Sequence, residues 1–157
     1  MKSGYEIYNT DIISKSDNKR ICCYFVVSDL HKIAPADIRI KTDELIEEID
    51  RHENWILESV VWDANHKVDT NRDGLNIILE KAKKDEFDIL LLRHVTVISH
   101  QGGKTFDYVL QLQMLGKSIY GIADEIHSFA DLAETLQLSA SRKKLYETLK
   151  RQNKVFD

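Results

Sequence analysis

"ICCYFVVSDLHK", residues 21–32, opens as an unbroken apolar run and stops abruptly at Ser28 and Asp29. A strand wetted on one face alternates apolar with polar residues. A strand that is apolar throughout is covered on both faces, the condition of a parallel sheet with helices on each side. Such a strand carries Ser28 to the rim of the sheet. "FDILLLRHV" at 87–95 has the same character, and "WILESVVW" at 55–62 and "SIYGIAD" at 118–124 supply two more strands. Between them apolar residues recur at helical spacing: Ile38, Leu45, Ile46 and Ile49, then Leu75, Ile78, Leu79 and Ala82, then Phe106, Val109, Leu110 and Met114. Gly116 stops the third of these helices. From Phe129 a long helix is expected to run to Arg151. The alternation predicts an α/β fold: a mainly parallel four-stranded sheet flanked by helices, with a long C-terminal helix.

Residues 1–19 are polar and broken by "KSDNK". They read as an N-terminal arm with at most a short strand at Tyr5 to Tyr8, leaving 20–157 as one domain. The chain has 157 residues, of which 43% are apolar, enough for a single core. The formal net charge is −4. A protein held to nucleic acid by bulk charge carries the opposite sign, so any basic surface here is local. The two cysteines, Cys22 and Cys23, are neighbours on a strand and point to opposite faces. They read as buried thiols of a reducing cytoplasm. The first ten residues lack the apolar core of a signal peptide, and no apolar run is long enough to span a membrane. A cytoplasmic protein without membrane contact is expected.

In sheets of this kind, sites form at the carboxyl ends of the strands. Ser28, Asp63 and the loop at 96–104 all leave strands at that end. Ser28 reads either as a strand-ending residue or as a nucleophile, and a nucleophile needs a base or a cationic site beside it. Asp63 reads as a turn residue or as an acid. "QGGK" at 101–104 lacks the spacing and the following Ser or Thr of a phosphate-binding P-loop. His94 and His100 have no carboxylate or third histidine at ligand spacing, so no metal or other cofactor is expected.

The order of these features resembles the catalytic domain of serine recombinases, the resolvase/invertase family, over residues 20 to 152. That family opens with a strand reading Tyr-x-Arg-x-Ser; here the strand reads "YFVVS", Tyr24 to Ser28. Its second strand ends in Asp, followed by a loop and Arg-x-Gly-Leu at the start of a helix. Here "WDANHKVDTNRDGL" supplies Asp63, Arg72, Gly74 and Leu75. The third strand, the helix "FDYVLQLQMLGK", the strand "SIYGIAD" and the final helix follow in order. The resemblance implies a resolvase-like sheet of flavodoxin-like topology. It places Ser28 where the family's nucleophile attacks a DNA phosphodiester, with Arg72 and more weakly His100 and Asp63 as site residues.

The departures bear on activity. Val26 stands at the first-strand arginine. Thr96, Val97, Ile98, Ser99 and His100 stand where the family has Asp-Arg-Leu-Ser-Arg. Arginine forks meet phosphoryl oxygens bidentately and stay charged, whereas a histidine replaces them only when protonated and a valine not at all. Catalytic impairment is therefore expected.

The final helix, "SRKKLYETLKRQNK", carries Arg142, Lys143, Lys144, Lys150, Arg151 and Lys154 against the single acid Glu147. By resemblance it builds a homodimer through residues 129–151 and runs onto DNA. Arg142, Lys143, Lys144, Lys150 and Arg151 are the candidate contacts, weak and salt-sensitive, and the stripe reads equally as a solvated helix face. Leu132, Leu136, Ala140 and Leu145 form the stripe on which that dimer is expected. No helix-turn-helix domain is expected within this chain. The resulting expectation is an impaired, dimerising, DNA-associated recombinase domain, a regulator or partner in a mobile element. Two alternatives stand beside it: an active recombinase using Ser28, and a flavodoxin-like interaction module without a DNA role.

Overall fold

The computed structural model describes residues 3–10, 18–28, 35–65 and 72–155. The side chain of Ser28 and parts of the expected loops after Ser28 and Asp63 lie outside the described residues. The elements are β1 (Ser3–Ile7), β2 (Lys19–Ser28), α1 (Pro35–Ile49), β3 (Trp55–Asn65), α2 (Asp73–Lys83), β4 (Ile89–Leu92), a 3-10 turn (Val95–Val97), α3 (Gly102–Met114), β5 (Ser118–Gly121), α4 (Phe129–Thr135) and α5 (Ala140–Arg151).

The sheet has five strands in the order β1-β3-β2-β4-β5. β3, β2, β4 and β5 are parallel, and β1 adds to β3 antiparallel, with Tyr5 opposite Val61. The expected four-stranded sheet is corrected to a mixed five-stranded one. The extra strand comes from the segment read as an arm. β1 is an edge strand with Tyr5 and Ile7 about half exposed, so its sequence lacks the apolar density that marks the inner strands.

β2 lies at the centre, and its residues divide between two cores. Cys22 and Tyr24 face α2, α3 and α4, whereas Ile21, Cys23, Phe25 and Val27 face α1. This is why its sequence is apolar without alternation. Both cysteines are fully buried and free, and burial pushes the Cys22 thiol up to about 12.

The expected continuous helix from Phe129 to Arg151 is also corrected. It is two helices, α4 and α5, joined by the extended residues 136–139. Leu132 and Leu138 are buried in the molecule's own core and Leu136 packs against it. Burial of these leucines turns the chain out of helix, and Ser139 then caps α5 by accepting the Arg142 amide. The leucine stripe expected to build a dimer is therefore largely used inside one molecule, with Leu145 still 41% exposed.

At the amino ends of the strands Arg20 ties β2 to the turn before β4. Its Nε and Nη2 donate to the two carboxylate oxygens of Asp88, each at 3.0 Å, and its amide adds a third bond at 2.7 Å. Burial alone would raise the Asp88 carboxyl, but these bonds outweigh it and hold the group below its usual range. A depressed folded pKa gives stability that is complete above the unfolded value of about 3.9 and lost as pH falls through the folded one. Asp88→Asn should therefore lower the urea midpoint at pH 7 and change it little at pH 2.5. Equal losses at both pH values would show that the carboxylate's charge is not what matters.

Candidate functional site

Two adjacent strands and the helix after them build the site. Ser28 ends β2 at the carboxyl edge of the sheet, its backbone level with Asn65, and two residues earlier Val26 is level with Asp63. Asp63 is 1% exposed and both its oxygens are engaged. Oδ2 accepts from the Tyr24 hydroxyl at 2.6 Å, and Oδ1 accepts from the Gly74 amide at 2.8 Å in the first turn of α2. A Cβ on Gly74 would lie 2.6 Å from Oδ2, so only glycine lets the helix approach this closely.

Arg72, immediately before α2, closes over this pair. Its Nη2 and Nε donate to the Tyr24 hydroxyl at 2.7 and 3.2 Å, its Nε lies 3.7 Å from Asp63 Oδ2, and Nη2 also donates to the Val97 carbonyl. Burial and then the charge of Asp63 raise the Tyr24 phenol, against a smaller lowering by Arg72, so it remains a donor to Asp63. Arg72 is thus an anchor between β2, β3 and the 3-10 turn. Its charge faces a buried carboxylate.

A cleft of about 610 Å³ opens between α2 and α3 beyond Arg72. Arg72, His100, Lys104 and Asp107 line it, with Asn76 and Gln111. Of the residues read from sequence, Asp63 and Arg72 meet directly, and His100 shares the cleft with Arg72. Val26 and Val97 are part of the apolar packing around Tyr24. Among the described residues no cluster of three or more His, Cys, Asp or Glu could hold a metal ion. No helix of the described residues is long and apolar enough to cross a membrane.

The basic helix is less uniform than its sequence. Lys143, Lys144 and Arg151 are exposed, with Arg151 bonded to Thr148. Lys150 lies over the Tyr146 ring, 3.5 Å from Glu147. Arg142 turns back onto α3 and forks Asp107, with Nε–Oδ1 at 2.9 Å and Nη2–Oδ2 at 2.7 Å. Sequence reasoning missed the bridging role of Tyr24 and the cleft residues Lys104, Asn76 and Gln111. Tyr24 sat in the motif that was read, but nothing local announced its partner 39 residues away. Lys104 sat in "QGGK", within the expected loop at 96–104, where α3 in fact begins at Gly102.

No family model matches the chain, and no curated protein matches it significantly. Solved structures do match. The N-terminal catalytic domain of TP901-1 integrase is 16% identical, with a TM-score of 0.59, covering 86% of this chain and 94% of that one. A resolvase family site-specific recombinase from Streptococcus pneumoniae is 14% identical, with a TM-score of 0.55 and coverage of 87% and 90%. The C-terminal catalytic domain of ISC1926 TnpA, an IS607-like serine recombinase, is 16% identical, with a TM-score of 0.54 and coverage of 85% and 97%. The chain has the fold of a serine recombinase catalytic domain. At these identities the likeness is one of fold, and chemistry has to be argued from the residues of this site.

Proposed function

We propose that this protein is a catalytically impaired serine-recombinase-type domain that associates with DNA without cutting it efficiently, as a cytoplasmic regulator or partner of an active recombinase in a mobile element. The observation that carries the reading is the placement of Arg72. It is the sole arginine retained at the family's site positions, and its guanidinium is engaged by Tyr24, Asp63 and the Val97 carbonyl.

Serine attack on a phosphodiester concentrates negative charge on the phosphoryl oxygens. Preorganised donors aimed at that charge supply much of the rate, and removing one costs about 2.7–4 kcal/mol. Val26 and Val97 offer no side-chain donor there, and His100 carries no permanent charge. Ser28 keeps the position of a nucleophile without the field that activates one. The test is incubation with nicked duplex DNA followed by a denaturing gel. The parent chain should leave no covalent adduct. An adduct that disappears in Ser28→Ala would establish the working-enzyme reading in its place.

DNA contact in this reading falls to Lys143, Lys144, Lys150 and Arg151 on the outer side of α5, with Arg142 behind them. A homodimer through residues 129–151 belongs to the reading with its contact narrowed to the partly exposed Leu145 of α5. Light scattering should give a dimer mass for the parent chain and a monomer mass for Leu145→Glu. A parent chain that is monomeric at high concentration removes the dimer from the reading.

A further inference from the structure

Arg142 is a cation held in place by the molecule's own acid. It sits in the first turn of α5, three residues after the Ser139 cap. Its guanidinium lies on Gly103, where a Cβ would come within 2.8 Å of Cζ and Nη1, and its fork meets both oxygens of Asp107. The glycine is a seat, because any side chain there would lift the guanidinium away. Asp107 also lines the cleft that holds Arg72, His100 and Lys104.

We propose that the Arg142–Asp107 fork is an autoinhibitory latch, in which the Asp107 carboxylate takes the place of a DNA phosphate on Arg142 and withholds that contact. Carboxylate and phosphate present the same paired oxygens to an arginine fork. The contact is well aligned but open to water, with side chains 34% and 51% exposed. Ion pairs of that exposure contribute little and exchange readily. Arg142 holds the Asp107 carboxyl below its usual range, so the competitor is ionised at neutral pH.

The inference rests on the DNA-associated reading. Its test is fluorescence anisotropy of a labelled duplex with the full chain over a series of salt concentrations. Asp107→Asn should tighten binding and steepen the dependence of log K on log salt by about 0.9, one added phosphate contact. Asp43→Asn, the same change of charge on α1, should leave the slope as it is. Adding Arg142→Ala to Asp107→Asn should remove the gain. Binding by the parent that Asp107→Asn steepens no more than Asp43→Asn does would overturn the latch alone, as would a gain that survives Arg142→Ala. No binding by any variant at low salt would overturn the latch and the DNA-associated reading together.

Discussion

Lys81→Met is expected to cost about 3–5 kcal/mol of stability, the range for breaking a buried ion pair from one side. The Lys81 ammonium donates to Glu58 Oε2 at 2.7 Å, and the two side chains are 6% and 8% exposed. Glu58 reaches it through an irregularity of the sheet. Ile21 pairs with Leu57 but Cys22 pairs with Ser59, so Glu58 is the extra residue of β3. The Ser59 hydroxyl donates to its other oxygen at 2.5 Å. Among the described residues, removing the lysine leaves a buried carboxylate beside Cys22 whose remaining side-chain hydrogen bond comes from the Ser59 hydroxyl. Burial pulls the Lys81 ammonium down, but Glu58 outweighs it and the group is raised. A raised folded pKa gives stability that is complete below the unfolded value and lost only at strongly alkaline pH. Urea unfolding at pH 7 therefore reads the full effect. The double variant Glu58→Met with Lys81→Met should recover most of the loss, because the buried charge goes with its partner. A single variant within 1 kcal/mol of the parent, on the order of a surface change, would show that water reaches Glu58.

Restoring three arginines is expected to have the largest effect on chemistry. In the proposed reading Val26 and Val97 leave two donors missing at about 2.7–4 kcal/mol each, a rate deficit on the order of 10⁴-fold, allowing for non-additivity. Val26→Arg, Val97→Arg and His100→Arg rebuild the charge without touching Ser28. Val26 lies two residues from Tyr24 and packs against the same core, so a guanidinium there points to the side of the sheet where Arg72 and Asp63 meet. Val97 holds Arg72 through its backbone carbonyl, which a side-chain exchange preserves. His100 is exposed on the cleft wall and takes an arginine without crowding. The triple variant should form an adduct with nicked DNA that Ser28→Ala abolishes in the same background. A triple variant that melts like the parent yet gives no adduct would overturn the proposal that missing arginines limit the chemistry of this domain.

Several of these features were legible in the sequence, for local reasons. The inner strands announced themselves because β2 and β4 are covered on both faces. The helices α1, α2 and α3 followed from apolar spacing. The resemblance to serine recombinases singled out Ser28, Asp63 and Arg72, and in the fold Asp63 and Arg72 meet. β1 was nearly missed because an edge strand with one exposed face has little apolar signal. The bend at 136–139 was missed because no Gly or Pro marks it. Leu136 and Leu138 have good intrinsic helix propensity, and their burial against α3 and its neighbours overrides that preference.

The sequence by itself determined the layered α/β architecture and the position of the serine at the end of β2. These depend on residue type and short spacing, which the chain carries whatever its partners are. Tertiary structure alone decided what the charged groups face. Arg72 reads in sequence as a cation for a phosphate, and in the fold it is bound to Tyr24, Asp63 and Val97. Arg142 reads as one base in a stripe, and in the fold it lies on Gly103 and forks Asp107. Lys81 and Glu58 lie 23 residues apart in the chain, and the extra residue in β3 brings them together as a buried pair. An ion pair joins residues distant in the chain, and its strength depends on a burial that exists only once the elements have packed.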